Sequence, residues 1–139
     1  MAVGALTVAS VDVAGGISKY TLAWTSSAGG AVSGNPFSLR IGTLIQVKFV
    51  PGAGGTQPTN NYTVALNDTD GVDVFEGLGL GTNLSNVTSK IGVPYIGLAP
   101  TQLFSRYYHD GSEQLDLVVA AAGAAKTGTV LVWVRVGSE

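Results

Sequence analysis

The stretch Thr127–Val136 restricts the fold more than any other part of the chain. Val130, Val132, Val134 and Val136 recur at every second position, and Leu131 and Trp133 fill places between them. Period two belongs to the β-strand, whose successive side chains point to opposite faces. A strand apolar on both faces is either central in a sandwich or covered by a partner.

The same grammar runs through the rest of the sequence. In Ile17–Thr25, Tyr20, Leu22 and Trp24 face one way, and Lys19, Thr21 and Thr25 the other. Gly42–Val50 sets Ile45, Val47 and Phe49 against Gln46 and Lys48, and Pro51 ends the run. In Ala5–Val13 the alternation of Leu6 and Val8 slips at Ser10 before Val11 and Val13, which predicts one strand with a bulge. Asn61–Gly77 predicts a hairpin. Tyr62, Val64 and Leu66 share a face, Asn67–Gly71 form an Asx-rich turn, and Val72 and Val74 carry the return strand. Val93–Leu98 fits an edge strand, where its proline is tolerated. Pro100–Tyr108 reads as a strand, His109–Gly111 as a turn, and Leu115–Val119 alternates again.

Ser26–Pro36 and Gly52–Asn60 are loops by composition, with a short extended piece near Phe37–Leu39. Thr82–Lys90 has no clear period and reads as loop or one helical turn. About eight short strands without a convincing long helix predict an all-β, single-domain antiparallel β-sandwich of jelly-roll or Greek-key type. It spans residues 1–139, with residues 1–5 as an N-terminal arm able to add a strand to a partner.

Composition narrows the function classes. The chain has no cysteine, so disulfides and thiolate metal sites are excluded. Its formal net charge of −2 argues against non-specific nucleic-acid binding. Only 12% of residues are charged and 45% are hydrophobic, whereas about 25% charged is usual. So little charge predicts a surface partly covered by other protein chains. No apolar run reaches the ~20 residues of a membrane helix, and the first residues lack the basic start of a signal peptide.

Chemistry-bearing constellations are weak. Asp68, Asp70 and Asp73 invite calcium, but their spacing is not an EF-hand loop and no bidentate glutamate follows. An Asx turn explains them better. Gly77-Leu-Gly-Leu-Gly lacks the βαβ context and the Lys-Ser/Thr of a phosphate cradle. His109 is the only histidine, and no nucleophile elbow accompanies it. Glu76 and Glu113 have no partner context for glycosidic chemistry. Four Asn-x-Ser/Thr triplets, at Asn61, Asn67, Asn83 and Asn86, read as turn and strand bias. No catalytic, cofactor-binding or metal-ligating residue is assigned, and no cofactor is expected. Candidate interaction residues are the aromatic and apolar side chains Trp133, Leu131, Tyr107, Tyr108 and Phe37. Trp24, alternating with Leu22, is expected in the core.

Several segments resemble, in succession, a family of small virion proteins of tailed bacteriophages. They are Trp24–Gly34, Asn61–Val64 leading to Asp68–Val74 and Gly77, and Gly123–Val130. Length, acidity, low charge and missing cysteine are similar especially to the jelly-roll cement (decoration) proteins of short-tailed phages. The resemblance implies a non-enzymatic protein, made in the bacterial cytoplasm, on the outer surface of the icosahedral capsid. It would clamp neighbouring major capsid protein subunits after head expansion. It also implies self-association, a homodimer in preference to a homotrimer, with neither nucleic acid nor membrane as partner. Two alternatives remain open. A neck or tail-fibre anchor would be present in about a dozen copies per particle, against hundreds for a shell protein. A carbohydrate- or receptor-binding module would use Tyr107, Tyr108 and Asp110 and would respond on a glycan array.

Overall fold

The described residues form ten strands and one turn of 3-10 helix, and the longer strands follow the predicted alternation. The strands are β1 (Ala5–Val13), β2 (Ile17–Thr25), β3 (Gly42–Pro51), β4 (Thr63–Asn67), β5 (Lys90–Gly92), β6 (Tyr95–Ile96), β7 (Ser105–Arg106), β8 (Tyr108–His109), β9 (Asp116–Ala120) and β10 (Thr127–Val136). The computed structural model describes residues 2–75, 81–92, 95–96, 105–106, 108–109 and 114–137.

One antiparallel sheet runs β1-β2-β10-β3-β5, with β8 also pairing β3. The opposing layer is built on β4 and β9, which pair from Thr63–Ala120 to Asn67–Asp116. Isolated bridges widen it: Val32 and Phe37 pair with Val119 and Leu115 on the far side of β9, and Tyr62 pairs with Leu84. Taken in chain order, β2, the Val32–Phe37 lane, β3, β4, the Leu84 lane, β5, β9 and β10 switch layers at every step but the one from β4 to Leu84, a pattern that closes two Greek keys. The first sheet reads β2-β10-β3-β5 and the second Val32–Phe37, β9, β4, Leu84, which is the jelly-roll order.

The core lies between the layers. From the first sheet it receives Tyr20, Leu22, Trp24, Leu44, Val47, Phe49, Val130, Val132 and Val134, and from the second Tyr62, Val64, Leu66, Leu115, Leu117 and Val119. Each such aliphatic or aromatic side chain contributes roughly 1.5–3 kcal/mol on burial. The aromatics meet across the gap. Trp24 and Tyr62 ring centroids are 5.8 Å apart, and Phe49 meets Phe75 edge to face at 5.5 Å. Burial pushes the Tyr62 hydroxyl from 10.0 up to about 12, because the phenolate would lose its water.

Several expectations need correction. β1 pairs with β2 from Ala5–Thr25 to Val13–Ile17 without a register shift, so the slip at Ser10 is not a bulge. Instead Leu6 and Val8 share the inner side with Leu22 and Trp24, while Val11 and Val13 lie on the outer side. The bulge sits elsewhere. Between β10 and β3 the register moves from Trp133–Gln46 to Val134–Leu44. Ile45 is therefore the extra residue, and Leu44 takes the core position expected of it.

The return strand of the Asn61–Gly77 hairpin is also absent. β4 pairs with β9, and only Asn67–Asp73 bridges back. The Asp68 carboxylate accepts the amides of Asp70 and Val72 at 2.9 and 3.0 Å. That of Asp73 accepts those of Leu66 and Phe75 at 3.0 and 2.9 Å. These bonds take amides a ladder would have used, and leave Val72 exposed while Val74 and Phe75 turn inward.

Nor is the N-terminal arm free at Val3 and Gly4. Val3 exchanges backbone hydrogen bonds with Ser33 at 2.8 and 2.9 Å. Gly4, at φ +68°, then turns the chain from the second layer into the first. His109, expected in a turn, lies in β8 opposite Gly42.

Candidate interaction surface

The outward face of the first sheet gathers two of the expected interaction residues. In β10 the valines and Gly128 point into the core, so Thr129, Leu131, Trp133 and Arg135 point out. Strand pairing fixes their neighbours. Trp133 stands between Lys19 of β2 and Gln46 of β3, and Leu131 between Thr21 and Lys48. Beyond β2, β1 adds Val11 beside Lys19 and Ala9 beside Thr21. Beyond β3, β5 adds Ile91 beside Lys48. A continuous row therefore runs Val11, Lys19, Trp133, Gln46, and a second runs Ala9, Thr21, Leu131, Lys48, Ile91.

The electrostatics of this face are one-sided. The Lys19 Nζ lies 5.6 Å from the Trp133 ring centroid. At an exposed site such a cation–π contact is worth about 0.5–1 kcal/mol. Lys48 and Arg135 flank it. Among the described residues no carboxylate points out from this face. Asp12 is on the opposite side of β1, where its Oδ1 accepts from Ser18 Oγ at 2.8 Å and from Arg40 at 2.9 Å. Asp116 is on β9, accepting the amides of Gly34 and Asn35, each at 3.0 Å. A protein of net charge −2 thus has one broad face that is cationic and apolar.

The other expected residues are placed differently. Phe37 is a core side chain, 8% exposed, bridged to Leu115. It cannot serve a partner without unfolding its lane, because its burial is what seats that lane on β9. Tyr107 and the Tyr108 side chain lie outside the described residues, although the Tyr108 backbone pairs with Thr43. The Ser26–Pro36 and Gly52–Asn60 loops are tied down. Ser26 Oγ donates to the Gly123 carbonyl at 2.6 Å and accepts the Lys126 amide at 2.8 Å. Lys126 Nζ donates to the Gly55 carbonyl at 3.2 Å and Gln57 to the Asn86 carbonyl at 2.8 Å.

A half-open cleft of about 350 Å³ at the β1–β2 turn is lined by Asp12, Gly16, Ile17, Ser18, Arg40 and Val136. Its polar atoms are paired with one another, so it presents a bonded cluster and not a poised base. Among the described residues no three His, Asp or Glu side chains group as a cation site.

Sequence reasoning missed Lys19, Lys48 and Arg135 as members of one surface. Each sits one place from a core residue, and sorting charges by strand face would have found them. No family model, curated protein or solved structure matches this chain.

Proposed function

We propose that the protein is a non-enzymatic virion structural protein. It binds the outer surface of a tailed-phage icosahedral capsid and cements neighbouring major capsid protein subunits, stabilising the DNA-filled head. The observation that carries this reading is the open outward face centred on Trp133 and Leu131. Four strands of about 30 Å at ~4.8 Å spacing, with the three-residue β5 beside them, make a face of roughly 600 Å². That is about three quarters of the ~800 Å² each partner contributes to a standard interface. An aromatic anchor at the centre with cations around it is the anatomy of a protein-binding surface. The resemblance to phage cement proteins supplies the partner.

The physics of the role fits. Packaged DNA presses outward through phosphate repulsion. A protein that binds only the expanded lattice stabilises that lattice by mass action. It needs wide contact area and no reaction centre.

Purified protein added to expanded and unexpanded shells tests this directly. Binding to expanded shells, and rupture of stripped shells at lower temperature or osmotic stress than complete ones, is the expected result. Trp133→Ala should keep the fold and weaken shell binding by more than tenfold, as loss of a central anchor does at about 2 kcal/mol. Equal robustness of stripped and complete shells would refute the proposal.

A further inference from the structure

We infer that β1 is a dimerisation edge, and that its occupant is β1 of a second copy of this chain. The inference stands on the isolated protein and does not require the capsid reading. β1 is nine residues long and every one but Leu6 is exposed. Among the described residues its only strand partner is β2, and the ladder between them is unbroken. The opposite edge of β1 therefore offers a full row of backbone donors and acceptors.

Natural edge strands are blunted by lysine, proline, bulges or brevity. Ala5-Leu-Thr-Val-Ala-Ser-Val-Asp-Val has none of these. Its one charge, Asp12, is already neutralised by Arg40 at 2.9 Å. Val8, Val11 and Val13 are 38, 58 and 43% exposed, an apolar display along an edge that can pair.

The strand is self-complementary. Antiparallel pairing about a two-fold axis at Ala9 overlaps all nine residues. On the outward side it sets Ala9 against the partner's Ala9, Thr7 against the partner's Val11, and Ala5 against the partner's Val13. No charge stands on that side, so no like-charge pair arises across the axis. The two Asp12 carboxylates fall toward opposite ends, about 20 Å apart at ~3.3 Å per residue. A strip about 30 Å long and one strand deep buries on the order of 400 Å² per copy, about half of a standard interface. The dimer should accordingly be reversible and concentration-dependent.

Sedimentation equilibrium on the purified chain across micromolar to millimolar concentrations tests this. The mass should rise from 14.1 kDa toward twice that value and stop there. Val11→Lys, at an exposed position, should leave the melting temperature unchanged and weaken association at least tenfold. Because the chain has no cysteine, a single Ala9→Cys variant reports register without background. It should form a disulfide-linked dimer on mild oxidation, while Thr7→Cys alone should not. The inference is overturned by a monomer throughout the range, by a dimer indifferent to Val11→Lys, by cross-linking at Thr7→Cys in preference to Ala9→Cys, or by oligomers that grow past the dimer.

Discussion

Gly128→Ala tests the packing at the centre of the sandwich. Gly128 lies opposite Trp24 in the β2–β10 ladder, and the indole lies over its bare Cα. A methyl group there would come within 2.6 Å of Trp24 Cε2 and 2.9 Å of Nε1. Real Cβ atoms do not approach so closely, so the ring must move. It has little room, since Trp24 is 2% exposed and packs on Tyr62. Overpacking of this kind costs about 1–3 kcal/mol, and driving the ring off its rotamer adds about 0.5–1.5 kcal/mol. At roughly 3–5 °C per kcal/mol for a domain of this size, Gly128→Ala should lower the melting temperature by roughly 5–20 °C. Thermal and urea unfolding should be followed by tryptophan fluorescence, in a Trp133→Phe background so that only Trp24 emits. The double variant with Trp24→Phe should recover part of the loss, because the smaller ring leaves space for the methyl. A Gly128→Ala protein as stable as its parent would refute the contact between the indole and β10.

Two further outcomes follow from buried polar groups. The Tyr62 hydroxyl ionises near 10.0 in the unfolded chain but only at about 12 when folded. Its contribution is therefore intact below pH 10 and is lost as pH rises toward 12, on the order of 2–3 kcal/mol in total. Tyr62→Phe should flatten that part of the stability–pH curve, and an unchanged curve would contradict the assignment. Ser26→Ala removes the two bonds to Gly123 and Lys126 and should cost about 1–3 kcal/mol in urea unfolding. A cost near zero would mean the Ser26 loop is not pinned to the connection between β9 and β10.

What was legible in the sequence depended on whether side chains or backbone decided the structure. The alternation of Tyr20, Leu22 and Trp24 gave β2 and its buried face correctly, because strand period and burial coincide there. The same holds for Leu115 and, in β9, for Leu117 and Val119. The slip at Ser10 misled because β1 is an edge. With its free side unburied, both of its faces tolerate valine, so the pattern carries no register. The second-layer lane at Val32–Phe37 was hidden in a Gly/Ser-rich stretch, since backbone bridges to β9 define it, not side-chain period. The hairpin return failed because Asp68 and Asp73 took the amides a ladder needs. The aromatic character of Phe37 does not by itself distinguish core from interface. The cationic face escaped notice because Lys19, Lys48 and Arg135 are far apart in sequence and become neighbours only through β10.

The sequence leaves open whether the doubly apolar β10 is central or partner-covered, and the structure makes it central, with one apolar face in the core and the other turned outward. The inner valines are core, while Leu131 and Trp133 are held outward by strands on both sides, so the anchor stands on a rigid platform. This bears on how the β1 edge and the outward face combine. Antiparallel pairing through β1 extends the same sheet and keeps both outward faces on one side. Counting lanes from β10 through β2 and β1 to their copies, the two Trp133 side chains would sit five strands, about 24 Å, apart across the sheet. A pair of weak faces held at fixed spacing gains affinity from the second contact without any new chemistry. The weakness expected of the edge contact in solution is then consistent with tight attachment to a repeating shell, because each contact raises the local concentration for the other. Val11 lies two lanes from Trp133 in the same outward row, so Val11→Lys should weaken shell attachment both at the face itself and through loss of the dimer.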